Sequence, residues 1–188
     1  MAQQTKKVDN KFLADKVALR AQSLPQKQTI KVLDVFAGKG TLWNLVREKT
    51  KKNIQVVSID KRDDLYDFHL HGDNLRILRT LDLTNFDVID LDAYGFPDEQ
   101  LNLIFTKGYK GIVHLTMIQA NLCQLPYSIL EEAGINKDLL DAARGIFAKQ
   151  KLVWPIFSNW LYKKGVKTVY LKEKVNKGAK RYMWFETK

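Results

Sequence analysis

Val32-Leu33-Asp34-Val35-Phe36-Ala37-Gly38-Lys39-Gly40-Thr41 is the stretch on which the fold turns. It opens as a short apolar, β-branched run bounded by glycine, Ile30 to Phe36, which reads as a buried strand. An acid near the strand end is followed by a small-residue turn and then a helix over Thr41 to Lys49. Glycine lets a backbone turn tightly and approach a ligand, and a helix N-terminus offers free N–H groups. Spacing then separates the ligand classes. A phosphate-cradling loop needs G-x-x-x-x-G-K-[ST], and Leu33 stands where its first glycine would be. A dinucleotide loop needs a small residue at its sixth position, and Trp43 stands there.

Outward from this loop, strands and helices alternate. Ile54 to Ile59 reads as a second strand ending at Asp60, and Tyr66 to His71 as a third, ending at Gly72-Asp73. Asn74 to Leu83 reads as a helix, Phe86 to Leu91 as a strand, Pro97 to Thr106 as a proline-started helix and Gly111 to Met117 as a strand. Ahead of them, residues 10–23 read as a helix that Leu24-Pro25 ends. Alternation of this kind implies parallel pairing through right-handed crossovers. The tail differs: Val166 to Lys174 and Lys180 to Thr187 are strand-like runs whose short Asn- and Gly-containing joint suits a hairpin. The expectation is one Rossmann-like α/β domain over residues 1–188, an open, mostly parallel sheet with a C-terminal antiparallel hairpin strand. Residues 1–28 form a basic N-terminal helical extension and 151–188 a basic C-terminal hairpin region. Residues 120–150 read only as short helical pieces around Pro126, Gly134 and Gly145.

Apolar residues make up 45% of the chain, enough for a core, which excludes disorder as its overall class. The single cysteine, Cys123, excludes an internal disulfide, and a Cys-based zinc site would lack ligands. The three histidines have no metal spacing, so no metal is expected. No signal peptide and no membrane span is read, and the expected compartment is the cytoplasm. The net charge of +10 is unevenly spread: residues 1–52 carry +8, residues 53–150 carry −6 and residues 151–188 carry +8. Basic ends suit a polyanion, because each phosphate contact releases condensed counterions; solubility is the plainer reading. Between Trp154 and Phe185 aromatic and basic residues interleave. That mixture fits either a core with lysines on its solvent side or a surface that stacks bases. Lys6, Lys7, Lys11, Lys16 and Lys27 could extend such a surface from the other end.

Three further stretches carry acids at strand ends. Asp60 follows Gly38 by 22 residues, near the ~20 expected of a ribose-binding acid in nucleotide-binding α/β folds. Gly72-Asp73-Asn74 offers either a ligand contact or a helix N-cap. Only 12 residues separate Asp60 from Asp73, short for a parallel crossover, so the intervening helix is nearly absent or the third strand irregular. Asp90-Leu91-Asp92-Ala93-Tyr94-Gly95-Phe96-Pro97 follows a buried strand, where α/β sheets bind ligands. A helix-capping acid and a packing aromatic are the plainer reading.

Asp34-x-Phe36-Ala37-Gly38-x-Gly40 resembles motif I of the class I S-adenosylmethionine (SAM)-dependent methyltransferases. The later run resembles the Asp-x-Asp-Pro-Phe-Gly-x-Pro form of tRNA guanine-N2 methyltransferases, with Ala93 in place of the first proline and Tyr94 in place of phenylalanine. The likeness covers roughly residues 30–120. It implies SAM as cofactor, with Asp34, Phe36, Ala37, Gly38 and Gly40 around it. Asp60 would hold the ribose hydroxyls, and Asp73 or Asn74 the adenine amino group. It implies methyl transfer to an exocyclic amine of a base in nucleic acid, RNA (tRNA or rRNA) in preference to DNA. Asp92 would accept the amine N–H, Asp90 would orient Asp92 or touch the methionine ammonium, and Tyr94 would stack on the base. A protein or small-molecule methyltransferase, or a non-enzymatic nucleic-acid-binding protein on a decayed methyltransferase fold, are the alternatives.

Overall fold

The computed structural model describes residues 12–62, 69–119, 125–135, 138, 146–174 and 179–188. Helix α1 (Leu13–Ser23) precedes β1 (Thr29–Asp34), α2 (Thr41–Thr50) and β2 (Asn53–Asp60). Then come β3 (His69–His71), α3 (Asn74–Thr80), β4 (Val88–Leu91), α4 (Asp98–Thr106) and β5 (Gly111–Gln119). The chain closes with α5 (Tyr127–Glu132), α6 (Ile146–Lys163), β6 (Val169–Lys174) and β7 (Ala179–Thr187). The strands form a seven-stranded sheet in the order β3-β2-β1-β4-β5-β7-β6. The pairs from β3 through β5 are parallel, and β7 runs antiparallel to both β5 and β6. The expected Rossmann-like sheet with an antiparallel C-terminal end is present. Its strand order reverses between β1 and β4, the switch point at which open α/β sheets bind ligands.

Strand alternation divides the core. Leu33, Ile89 and Val113 face one layer, packed with Leu78 of α3, Leu101 and Ile104 of α4, and Phe157 and Trp160 of α6. Val32, Val88 and Ile112 face the other, packed with Val17 of α1 and Trp43 and Val46 of α2. On this second face the character changes along the strands. Apolar Val32, Val88 and Ile112 are followed two residues later by Asp34, Asp90 and His114, which are side by side in register. All three are buried.

Several boundaries move. The helix expected from 74 to 83 stops at Thr80, where Leu81 turns extended, and Leu83–Asn85 form a single 3-10 turn capped by Asp82. The fourth strand starts at Val88 rather than Phe86, because Phe86 closes that turn. The sixth starts at Val169 rather than Val166, because Gly165, at φ 86°, and the Val166 N–H, bonded to Leu161 O, finish α6. The first part of 151–188, expected as hairpin, is the end of that helix: its apolar period buries Phe157, Trp160 and Leu161. Of the expected strand 66–71, His69–His71 pair with Ser58–Asp60; residues 66–68 lie outside the described residues, as do residues 175–178 of the C-terminal joint and Cys123. Of the expected helix 10–23, residues 10 and 11 also lie outside them, and helix begins at Leu13.

Candidate active site

The glycine turn is built by backbone conformations that need glycine. Gly38 and Gly40 have φ of 53° and 66°, the left-handed region that a Cβ disfavours. An added Cβ would meet only the tip of Arg62 at Gly38 and nothing within 4 Å at Gly40, so conformation and not space demands them. The turn is tied at three points: Ala37 N–H to Ile59 O, Gly40 N–H to Ala37 O, and Val35 N–H to Asp90 O. Asp60, at the end of β2, receives the Gly38 N–H on one carboxylate oxygen at 2.8 Å and the Arg62 N–H on the other at 3.0 Å. Asp34, Phe36, Ala37, Gly38, Gly40 and Asp60 are therefore brought together at the switch point. Phe36 packs onto the main core layer beneath the turn.

The adenine-side pair divides. Asp73 is the N-cap of α3 and accepts the Arg76 N–H at 3.0 Å, which is the plainer of the two readings of this residue. Asn74 is buried, donates weakly to Val35 O at 3.5 Å and accepts from Gln100 Nε2 at 2.8 Å. It braces the turn from below, and its amide is engaged at both ends.

The acids after β4 meet cations that the motifs do not contain. Arg20 of α1 grips Asp90 in a fork, Nε to Oδ2 and Nη2 to Oδ1 at 2.6 Å each. Trp43 Nε1 adds a third donor to Asp90 at 2.8 Å, so the residue that breaks a dinucleotide motif serves here as an indole donor. One turn earlier on α1, Lys16 Nζ reaches both oxygens of Asp92, at 2.8 and 2.7 Å. The match is geometric: four helix residues rise about 6 Å and two strand residues about 6.6 Å, so cations at i and i+4 meet acids at j and j+2. Ser23, further along the same helix, shares a 2.7 Å hydrogen bond with His114 Nε2. Lys27 pairs with Asp87. Lys16 and Lys27, read from sequence as a possible extension of a phosphate-binding surface, are both in ion pairs with acids of this chain.

Charge does not balance in the buried row. Among the described residues, the buried Asp34 and Asp90 and the half-buried Asp92 beyond them face two cations, Arg20 and Lys16. Burial, with Asp90 and Asp92 nearby, pushes the Asp34 carboxyl well above its ordinary range, and its Oδ1 has no hydrogen-bond partner among the described residues. Burial also raises Asp90, against the pull of Arg20. Asp92 goes the other way: burial opposes ionisation, but Arg20 and Lys16 together hold its carboxyl below the usual range. Burial and the Arg20 charge hold His114 well below the usual imidazole value, so it is neutral. Beyond Asp92 the chain leaves the core. Tyr94 is 78% exposed and Gly95, at φ 108°, turns the backbone behind it.

Sequence reasoning missed Arg20. A signal was present: Leu13, Val17, Arg20 and Leu24 lie on one helical stripe, and a cation within an apolar stripe asks for a buried acid. Of the C-terminal aromatics, Phe157, Trp160, Tyr182 and Phe185 are core residues, whereas Tyr162 and Tyr170 are exposed.

No protein-family model and no curated protein matches this sequence. Solved structures do match by shape. A SAM-dependent methyltransferase from Archaeoglobus fulgidus aligns at TM-score 0.52 and 12% identity, over 92% of this chain and 93% of that one. A precorrin-6y C5,15-methyltransferase from Geobacter metallireducens aligns at TM-score 0.53 and 10% identity, over 100% and 94%. The plantazolicin methyltransferase BamL, solved with a triazolic desmethylPZN analog and SAH, aligns at TM-score 0.52 and 10% identity, over 94% and 84%. At these identities the likeness is one of architecture. The sheet order, the glycine turn at the switch point and the antiparallel C-terminal strands together make this the class I methyltransferase fold.

Proposed function

We propose that the protein is a SAM-dependent methyltransferase acting on an exocyclic amine of a nucleic-acid base, RNA in preference to DNA. The observation that carries the cofactor is the buried Asp34 Oδ1, without a hydrogen-bond partner among the described residues, beside a glycine turn whose strand-end neighbour is Asp60. A site with three acids and two cations suits a ligand bearing a sulfonium and an ammonium. Each Asp60 oxygen accepts one backbone N–H and keeps lone-pair capacity for ribose hydroxyls. SAM supplies an electrophilic methyl group on sulfur.

The chain's own residues prepare the acceptor. An exocyclic amine is a weak nucleophile because its lone pair is delocalised into the ring. Asp92, kept ionised by Arg20 and Lys16, is suited to accept the amine N–H, hold the nitrogen toward the methyl group and favour the positive charge that develops there. Asp90 is locked by Arg20 and Trp43, so it fixes the strand end rather than reaching the acceptor. Tyr94, exposed two residues beyond Asp92, offers its ring as a stacking platform. The basic ends and the exposed rings of Tyr162 and Tyr170 support a polyanionic, base-bearing acceptor.

Calorimetric titration with SAM, with its demethylated product and with NAD tests the cofactor. Micromolar binding of a SAM-type ligand, about −8 kcal/mol, and none of NAD is the expected result. Labelled methyl transfer to RNA, DNA and protein then identifies the acceptor. Transfer to protein alone would replace the nucleic-acid reading, and salt-sensitive RNA binding without SAM binding would make the protein a binding module.

A further inference from the structure

The two ion pairs that α1 makes across the strand ends are not equivalent. Arg20–Asp90 is sealed, its side chains 1% and 0% exposed. Lys16–Asp92 stands at the solvent end, at 16% and 17%. Arginine's planar fork, held by two bonds to a carboxylate that the Trp43 indole N–H also fixes, has no freedom to leave. Lysine is a single charge on a four-carbon stem that can swing without moving its helix. It nevertheless touches both oxygens of the carboxylate that the proposed chemistry needs. A cation in that position also opposes the positive charge that develops on an amine as it is alkylated.

We propose that Lys16 is the specificity-determining residue of the acceptor subsite. It closes Asp92 in the free protein and is drawn off by a phosphate of an incoming nucleic-acid strand, so that a base within a phosphodiester chain gains access and an uncharged nucleoside does not. This rests on the reading of the protein as an amine methyltransferase. A strand phosphate exchanges one anionic partner of Lys16 for another, so the ammonium is never left without a counter-charge. A nucleoside brings no such partner and must break the pair at full cost. The Tyr182 ring, its centroid 5.4 Å from the ammonium, holds Lys16 in the closed position by a cation–π contact that a competing phosphate must outweigh.

The test compares a random-sequence RNA 12-mer with the free nucleosides guanosine, adenosine and cytidine. Wild-type protein methylates the 12-mer with a kcat/KM at least a hundredfold above any nucleoside. Lys16→Met raises kcat/KM on the nucleoside tenfold or more without raising that on the 12-mer, and Lys16→Arg restores discrimination. An equal loss on both acceptors would overturn the proposal by making Lys16 merely structural. A second readout needs no turnover: in protein labelled with 13C-lysine, the Lys16 ε-carbon resonance shifts when the 12-mer is added and does not shift with guanosine. If wild-type protein methylates nothing, the amine-methyltransferase reading fails. The resonance then decides the opening of the pair by itself, and an unmoved signal overturns it.

Discussion

Asp34 is the acid of the site that burial favours in its protonated form, and its environment sets two measurable consequences. Its folded carboxyl is raised above the unfolded value, so the folded state binds the proton more tightly and this residue's contribution to stability is lost as pH rises through the raised value. Asp34→Asn is therefore expected to raise the thermal midpoint at pH 7 while weakening SAM-type ligands by about tenfold, one lost charge-assisted hydrogen bond. Binding of a cationic ligand beside Asp34 should release a proton. Calorimetry in buffers of different ionisation enthalpy reads that release, and the Asp34→Asn variant should lose it. At Asp92, replacement by Ala is expected to abolish methyl transfer with SAM affinity nearly unchanged; full activity would remove Asp92 from the chemistry. Legibility at this scale was uneven. The placement of Asp34, Gly38, Gly40 and Asp60 around one turn was readable because it follows from chain-local geometry at a strand end. Asp73 had two local readings, and one of its carboxylate oxygens caps α3 through the Arg76 N–H.

Helix α1 binds the site together as an element. Val17 and the capping Leu24 pack on the apolar part of the sheet face, and Lys16 and Arg20 of the same helix meet the acids. Removing Arg20 leaves the Asp90 carboxylate buried with the Trp43 indole as its remaining side-chain donor among the described residues, so Arg20→Met should cost about 3–5 kcal/mol of stability in a denaturant titration. Arg20→Met combined with Asp90→Asn should recover much of that loss, because no buried charge is then left alone. A cost for the double variant equal to the sum of the singles would show the pair to be uncoupled. The glycine turn behaves differently. At Gly40 a methyl group has room, so Gly40→Ala costs only the left-handed strain, about 1–2 kcal/mol, with packing unaltered. Strands and helices of this central part were legible from apolar runs and turn residues. The end of α3 was not, because the 3-10 turn that replaces its last residues depends on Asp82 accepting from Thr84 rather than on any change of periodicity.

For the whole molecule the controlling fact is that a charged row crosses the sheet at its switch point and is closed by a neutral histidine at one side. Unfolded His114 takes up a proton below about pH 6.5, whereas the folded one resists it through burial and the Arg20 charge. Its contribution to stability is thus lost as pH falls below about 6.5, and His114→Gln should flatten the stability slope between pH 6.5 and 5. An unchanged slope would place the acid sensitivity elsewhere. By itself the sequence determined the alternation of strands and helices, the parallel sheet with its antiparallel end and the acid–glycine turn, because each rests on periodicity or on backbone conformations within a few residues. Only the tertiary structure decided which cations face those acids. Lys16 and Asp92 are 76 residues apart, and Arg20 and Asp90 are 70 apart. Such partners become neighbours only when β1 and β4 pair at the centre of the sheet and α1 lies across their ends. Charge pairing of that kind has no local signature: a lysine on a helix looks alike whether it faces water, a phosphate or a buried carboxylate.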